Sequence, residues 1–78
     1  MGRPADMYGI VLVPSTSHAV RSEKVLNAAG IHCRLIPVPR HLSSNCGLAV
    51  CFDWPERERV AEALRAAKVD YDSILPFT

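Results

Sequence analysis

Short continuous apolar runs alternate along this chain with segments in which apolar residues recur at the spacing of a helix. The continuous runs cover residues 7–14, 32–38 and 48–52, and each has the length and composition of a strand. Pro37 lies inside the second run, where a central strand would lose a ladder donor, so we expect that strand at a sheet edge. A fourth strand is predicted from Val69, Tyr71, Ile74, Leu75 and Phe77.

A helix is predicted between the first two strands. Residues 15–17 read Ser-Thr-Ser and offer three successive N-cap hydroxyls. Gly30 is placed to end the helix, because glycine readily adopts the left-handed conformation of a C-terminal cap. The apolar positions near helical spacing are Ala19, Leu26 and Ala29.

A second helix is expected to begin at Asp53. That carboxylate is followed three positions later by Glu56, as in a capping box, and Pro55 falls in the first turn, where its missing N–H costs little. The inward stripe is mostly alanine, which lets a helix pack close to a sheet. It consists of Val60, Ala63, Leu64 and Ala67.

The predicted order is therefore β-α-β-β-α-β. This order is typical of the α+β, ferredoxin-like sandwich, in which an antiparallel four-stranded sheet carries both helices on one face. We expect the strand order four, one, three, two. Residues 1–6 are predicted to be a flexible N-terminus and residues 7–78 a single domain.

Composition excludes several classes of protein. The 78 residues are 49% hydrophobic and 22% charged, which is ordinary globular usage. A net charge of +1 gives no basic footprint for nucleic acid. No apolar run approaches the ~18 residues of a membrane span, and the N-terminus does not resemble a secretion signal. We therefore expect a cytoplasmic protein that binds neither nucleic acid nor membrane.

Candidate chemistry centres on the loop of residues 39–47, which is long for a strand-to-strand connection and carries Cys46-Gly47. The expected topology brings Cys46 close to Ser15, Thr16 and Ser17, where the first helix begins. Unpaired N–H groups and the helix dipole at that end would favour a thiolate. Arg40 or His41 could add to this effect.

Other interpretations of these residues remain open. Cys46 could be an incidental loop cysteine, and Cys33 and Cys51 are predicted to be buried as small hydrophobic residues. Histidine and cysteine are residue types that bind zinc, but the sequence has no Cys-x-x-Cys or His-x₃₋₅-His pair. No metal or other cofactor is therefore expected. The Ser-Thr-Ser run could bind an anion, although capping alone explains it. His18 is predicted to be an exposed helix residue.

Several segments together resemble the putative selenium/sulfur carrier protein-like family. They are Val13-Pro14-Ser15-Thr16-Ser17-His18-Ala19, Glu23-Lys24-Val25-Leu26, Ala29-Gly30-Ile31, Leu35-Ile36-Pro37-Val38-Pro39-Arg40 and Ser43-Ser44-Asn45-Cys46-Gly47-Leu48-Ala49. The resemblance implies that Cys46, followed by Gly47, holds sulfur or selenium as a persulfide-type group and passes it to a partner. Ser15, Arg40 and Ser44 match motif positions to which no role is assigned.

Three functions follow as hypotheses. The first is a thiol carrier, rather than a multi-turnover enzyme, whose donor and acceptor are separate proteins. The second is a regulatory module that binds a small metabolite near residues 13–18 without covalent chemistry. The third is a module that forms a homodimer through its sheet, since apolar residues fall on both faces of the first strand.

Overall fold

The computed structural model describes residues 7–39 and 47–77. Outside this description lie residues 1–6, which were predicted to be a flexible N-terminus, residues 40–46 of the loop with Cys46, and Thr78. In chain order the elements are β1 (Tyr8–Leu12), α1 (Thr16–Ala28), β2 (Cys33–Pro37), β3 (Leu48–Asp53), a 3₁₀ turn (Trp54–Glu56), α2 (Arg57–Ala66) and β4 (Ser73–Phe77). The βαββαβ order and the α+β, ferredoxin-like class are confirmed.

The four strands form one antiparallel sheet in the order β2-β3-β1-β4. This is the predicted order, and β2, which contains Pro37, lies at an edge as expected. Leu12 pairs with Ala49 of β3 and with Ser73 of β4. The ends of β1 and β2 and the starts of β3 and β4 therefore share one end of the sheet, which we call the α1 end because α1 begins there.

One face of the sheet packs against both helices. Val11, Val50 and Phe52 of the two central strands contact buried residues of each helix and form the main core. The helical contributors include Ala19 and Leu26 from α1 and Val60 and Leu64 from α2. The predicted alanine-rich stripe of α2 is confirmed, because Ala63 and Ala67 pack against the same cluster.

The opposite face of the sheet, here the open face, is also apolar. Ile10, Leu12, Ala49 and Cys51 form a second buried cluster there. Ile36, Val38, Leu75 and Phe77 pack around it and are partly buried.

The first helix begins and ends close to where its sequence predicts. Ser15 is the N-cap, with extended backbone, and its hydroxyl accepts a hydrogen bond from the His18 N–H at 3.3 Å. At the other end Gly30 has φ +82°, and the Ile31 N–H donates to the Leu26 carbonyl at 2.9 Å, as in a Schellman motif. Ala29 was expected in the apolar stripe, but it is exposed because it is already the C-cap.

The second helix does not begin as predicted. Asp53 is the last residue of β3, and its side chain makes no capping hydrogen bond. The 3₁₀ turn that contains Pro55 lies between this strand and α2, so the N-cap of the helix is Glu56, three residues later than the predicted cap. Arg57 lies over the Trp54 ring, 5.1 Å from its centroid, and donates to the Trp54 carbonyl at 3.3 Å. The start of the helix therefore has this cation–π contact and no side-chain capping hydrogen bond.

Gly9 permits close packing of two aromatic rings at the far end of β1. Phe52 and Trp54 stack with their centroids 6.2 Å apart. A Cβ at residue 9 would lie 2.5 Å from Phe52 Cζ and 2.6 Å from Trp54 Cε3, so no larger side chain fits beneath the rings.

Candidate functional site

The predicted site residues divide into two groups. Gly47, Ser15, Thr16 and Ser17 are described by the structure, whereas Cys46, Ser44, Arg40 and His41 lie outside the described residues. Gly47 immediately precedes β3, and its carbonyl accepts a hydrogen bond from the Val38 N–H at 3.0 Å. The chain therefore leaves β2 and re-enters β3 at points tied together by this bond.

Gly47 and the start of α1 lie at the same end of the sheet. The β1–β3 pairing ends with Leu12 opposite Ala49. Gly47 is two residues before Ala49 and Ser15 is three residues after Leu12, so both follow directly from that last pair. Gly47 is exposed, and a Cβ there would meet no atom within 4 Å. The described members of the predicted site thus lie next to open space at the α1 end.

Ser15 and His18 form a pair that the sequence interpretation missed. The Ser15 hydroxyl, besides accepting from the His18 backbone, is hydrogen-bonded to His18 Nδ1 at 2.6 Å. His18 is half-buried rather than the exposed residue that we expected. The spacing of three residues between a cap serine and a histidine is the signal that could have revealed the pair, because side chains three apart face each other at a helix start.

The first turn of α1 has a positive electrostatic character. It contains no acidic residue, and Thr16 and Ser17 are exposed there. The helix dipole places roughly half a positive charge at this end. An anion beside this turn would be stabilised, and a thiolate is one such anion.

Cys33 and Cys51 are poorly suited to nucleophilic chemistry. Burial raises the pKa of the Cys33 thiol from 9.0 to about 11, and the nearby Glu23 carboxylate adds to the rise. Its thiol donates weakly to the Glu23 carbonyl at 3.7 Å and to Asn27 Oδ1 at 3.6 Å. Burial also raises the pKa of the Cys51 thiol. The prediction of a buried position is confirmed for Cys51, whereas Cys33 is only half-buried.

A groove of about 340 Å³ lies at the opposite end of the sheet from Gly47 and includes both of these cysteines. Cys33 packs with the helix-side core and Cys51 with the open face, so their thiols project to opposite sides of the sheet. Within residues 7–39 and 47–77, no three His, Cys, Asp or Glu side chains are grouped in a way that could hold a metal ion. The groove is lined by Tyr8, His32, Cys33, Arg34, Cys51, Phe52 and Asp53.

A second groove, of about 410 Å³, runs along the exposed side of α1 from its first turn. It is lined by Thr16, Ser17, Val20, Arg21 and Lys24. Its two cations, Arg21 and Lys24, were not among the predicted site residues. Their spacing of three residues, on the side of the helix away from Ala19 and Leu26, is the pattern that marks them as neighbours.

Comparison with known proteins identifies a family for this chain. A family model with the description "Putative Se/S carrier protein-like" matches residues 8–76, which is most of the chain. No curated protein and no solved structure matches the sequence or fold. In the described part of the chain, neither helix has the length and apolar composition needed to cross a membrane.

Proposed function

The chain belongs to the putative Se/S carrier protein-like family, and from this premise we propose that it carries sulfur or selenium on the thiol of Cys46 and passes it to a partner protein. The observation that carries the proposal is the family match, which spans residue 46 and both flanking segments of the loop. The raised thiol pKa values of Cys33 and Cys51 support the choice of Cys46 among the three cysteines.

The position of Gly47 supports a location of the thiol beside α1. Gly47, which follows Cys46 in sequence, lies at the α1 end, and the proposal requires the Cys46 thiol to lie close to that end as well. A helix N-terminus stabilises a neighbouring anion, so a thiolate located there would be favoured over a thiol.

The proposed transfer needs no net oxidation or reduction. The Cys46 thiolate attacks the outer sulfur of a donor persulfide; a bond forms between Cys46 Sγ and that sulfur, and the donor's S–S bond breaks. The donor leaves as a thiolate, which takes a proton from solvent. A thiolate of the acceptor protein then attacks the same outer sulfur and releases the Cys46 thiolate. A perselenide would be transferred by the same sequence of bonds.

The remaining site residues have supporting roles in this proposal. Ser15, Thr16 and Ser17 supply the capped helix start, and Arg40 supplies a cation close in sequence to the thiol. Ser44 and Gly47 keep the surroundings of the thiol small, so that a donor can approach. Of these, only the capping hydrogen bond of Ser15 is established by the described contacts.

Transfer can be measured directly with a cysteine desulfurase and L-cysteine. We expect intact mass spectrometry to show one added sulfur atom on the wild-type chain, lost on reduction and absent from Cys46→Ala. The matched controls Cys33→Ala and Cys51→Ala should still gain the sulfur. In the wild-type chain the raised pKa values keep these two thiols protonated at neutral pH, so neither is expected to accept it. A sulfur adduct that persists in Cys46→Ala, or no adduct on the wild-type chain with either the desulfurase or inorganic polysulfide, contradicts the proposal.

A further inference from the structure

We propose that the exposed face of α1 formed by Val20, Arg21 and Lys24 is the docking surface for a sulfur-exchanging partner whose own thiol is flanked by acidic residues. This inference rests on the proposed carrier function and names the chemistry of the partner. The surface is the groove of about 410 Å³ that begins at the first turn of α1. A partner seated in it would therefore reach the end of the sheet where Gly47 lies.

The charges on the two helices differ in their pairing. In the part of the chain that the structure describes, the ion pairs join Arg59 to Glu56 at 2.8 Å and Arg65 to Glu62 at 3.0 Å, both at the α2 side. Arg21 and Lys24 make no ion pair with any described residue. Two of the three arginines of α2 are thus ion-paired, whereas Arg21 and Lys24 of α1 have no such partner among the described residues.

The acidic residue of α1 does not cancel these cations. Glu23 is half-buried, and its backbone carbonyl accepts a hydrogen bond from the Cys33 thiol of β2 at 3.7 Å. Its carboxylate is close enough to that thiol to raise the thiol pKa. The first turn has no acidic residue, and the helix dipole adds positive potential at this end. The α1 face therefore favours an acidic segment over a basic one.

Val20 gives this surface an apolar centre. It is 38% exposed, and the other large hydrophobic residues in the described ranges with similar exposure are Tyr8 and Tyr71. Protein interfaces commonly combine an apolar centre with a polar rim, and here the polar rim is cationic. Electrostatic steering at such a rim raises the association rate and depends on ionic strength.

The experiment uses three synthetic cysteine-persulfide peptides that differ only in flanking residues: glutamate, serine or lysine. We expect sulfur transfer to the full chain to be at least ten-fold faster from the glutamate peptide than from the lysine peptide at low salt. The difference should shrink as salt is added. The double variant Arg21→Glu/Lys24→Glu should reverse the order of the two peptides.

The matched control is Arg34→Glu/Arg57→Glu, which changes the net charge equally at the opposite end of the sheet and should keep the preference for the glutamate peptide. Alkylation of Cys46 by neutral iodoacetamide should be unchanged in both double variants.

Equal rates for the three peptides, or the same response in both double variants, overturns the docking surface. A loss of alkylation that matches the loss of transfer also overturns it, because the thiol itself would then be altered. If no peptide transfers sulfur to the wild-type chain, the carrier function fails and the docking surface with it.

Discussion

Ser22 is a polar residue in an otherwise apolar core. It lies in α1 with no exposed surface, and its hydroxyl has no hydrogen-bond partner among the described residues. A buried hydroxyl without a partner costs about 1–3 kcal/mol. Ser22→Ala should therefore raise the free energy of unfolding by about 1 kcal/mol or more. Urea denaturation measures this change.

The control for Ser22 is Ser17→Ala. Ser17 is exposed in the first turn of the same helix, so its replacement tests the helix propensity of alanine without a burial effect. If both variants gain the same stability, the unpaired hydroxyl is not the cause.

The raised pKa of the Cys33 thiol predicts that the stability of the fold depends on pH. Burial holds its pKa at about 11 in the folded chain against 9.0 ordinarily, so the folded state binds this proton more tightly than the unfolded state does. The contribution of this proton to the free energy of unfolding is present in full below pH 9 and is lost as the pH rises toward 11. We expect the Tm to fall over this range, and to fall less steeply in Cys33→Ala. An identical pH slope in that variant would show that other groups are responsible.

At the scale of secondary structure, the two helices end in the same motif with different residues at its left-handed position. In α1 that residue is Gly30, with φ +82°, and in α2 it is Lys68, with φ +59°. The Val69 N–H donates to the Leu64 carbonyl at 2.9 Å, as Ile31 does to Leu26 in α1. The left-handed conformation costs a residue with a side chain about 1 kcal/mol or more.

Lys68→Gly should therefore stabilise the protein by about 0.5–1 kcal/mol, and Gly30→Ala should destabilise it by about 1 kcal/mol. Both changes can be read from thermal or urea denaturation. Changes of the same sign in the two variants would contradict this explanation of the helix ends.

At the scale of the whole molecule, the shape of the sheet indicates how two copies could associate. Both edge strands contain a proline, Pro37 in β2 and Pro76 in β4, which weakens edge-to-edge pairing. The open face is apolar, and Ile36 and Leu75 lie only partly buried at its rim. Self-association through this face remains a prediction.

Sedimentation at increasing concentration tests that association. We expect a dimer that Ile36→Lys/Leu75→Lys shifts to monomer, because lysines would have to be buried in the contact. Arg65→Glu, on the exposed side of α2, is the control and should leave the dimer intact. A wild-type chain that stays monomeric at high concentration argues against this contact.

The fold was predictable to a large extent, and the site only in part. The strand order and the edge position of β2 followed from Pro37 and from the βαββαβ order, whose connections allow few arrangements. The prediction that Asp53 caps the second helix was wrong, because a 3₁₀ turn at Pro55 separates that residue from α2. The assignment of Cys46 with Ser44 and Arg40 stays a prediction.

The sequence by itself determined the order of the elements, the ends of α1 and the family of the chain. Each depends on spacing and on backbone preferences within a few neighbouring residues. Only the tertiary structure decided that the buried Ser22 hydroxyl has no partner among the described residues and that Cys33 and Cys51 project to opposite faces. It also decided that Arg59 and Arg65 form ion pairs, whereas Arg21 and Lys24 pair with no residue that the structure describes. These properties depend on which distant segments come into contact, because burial and charge pairing are set by neighbours in space rather than along the chain.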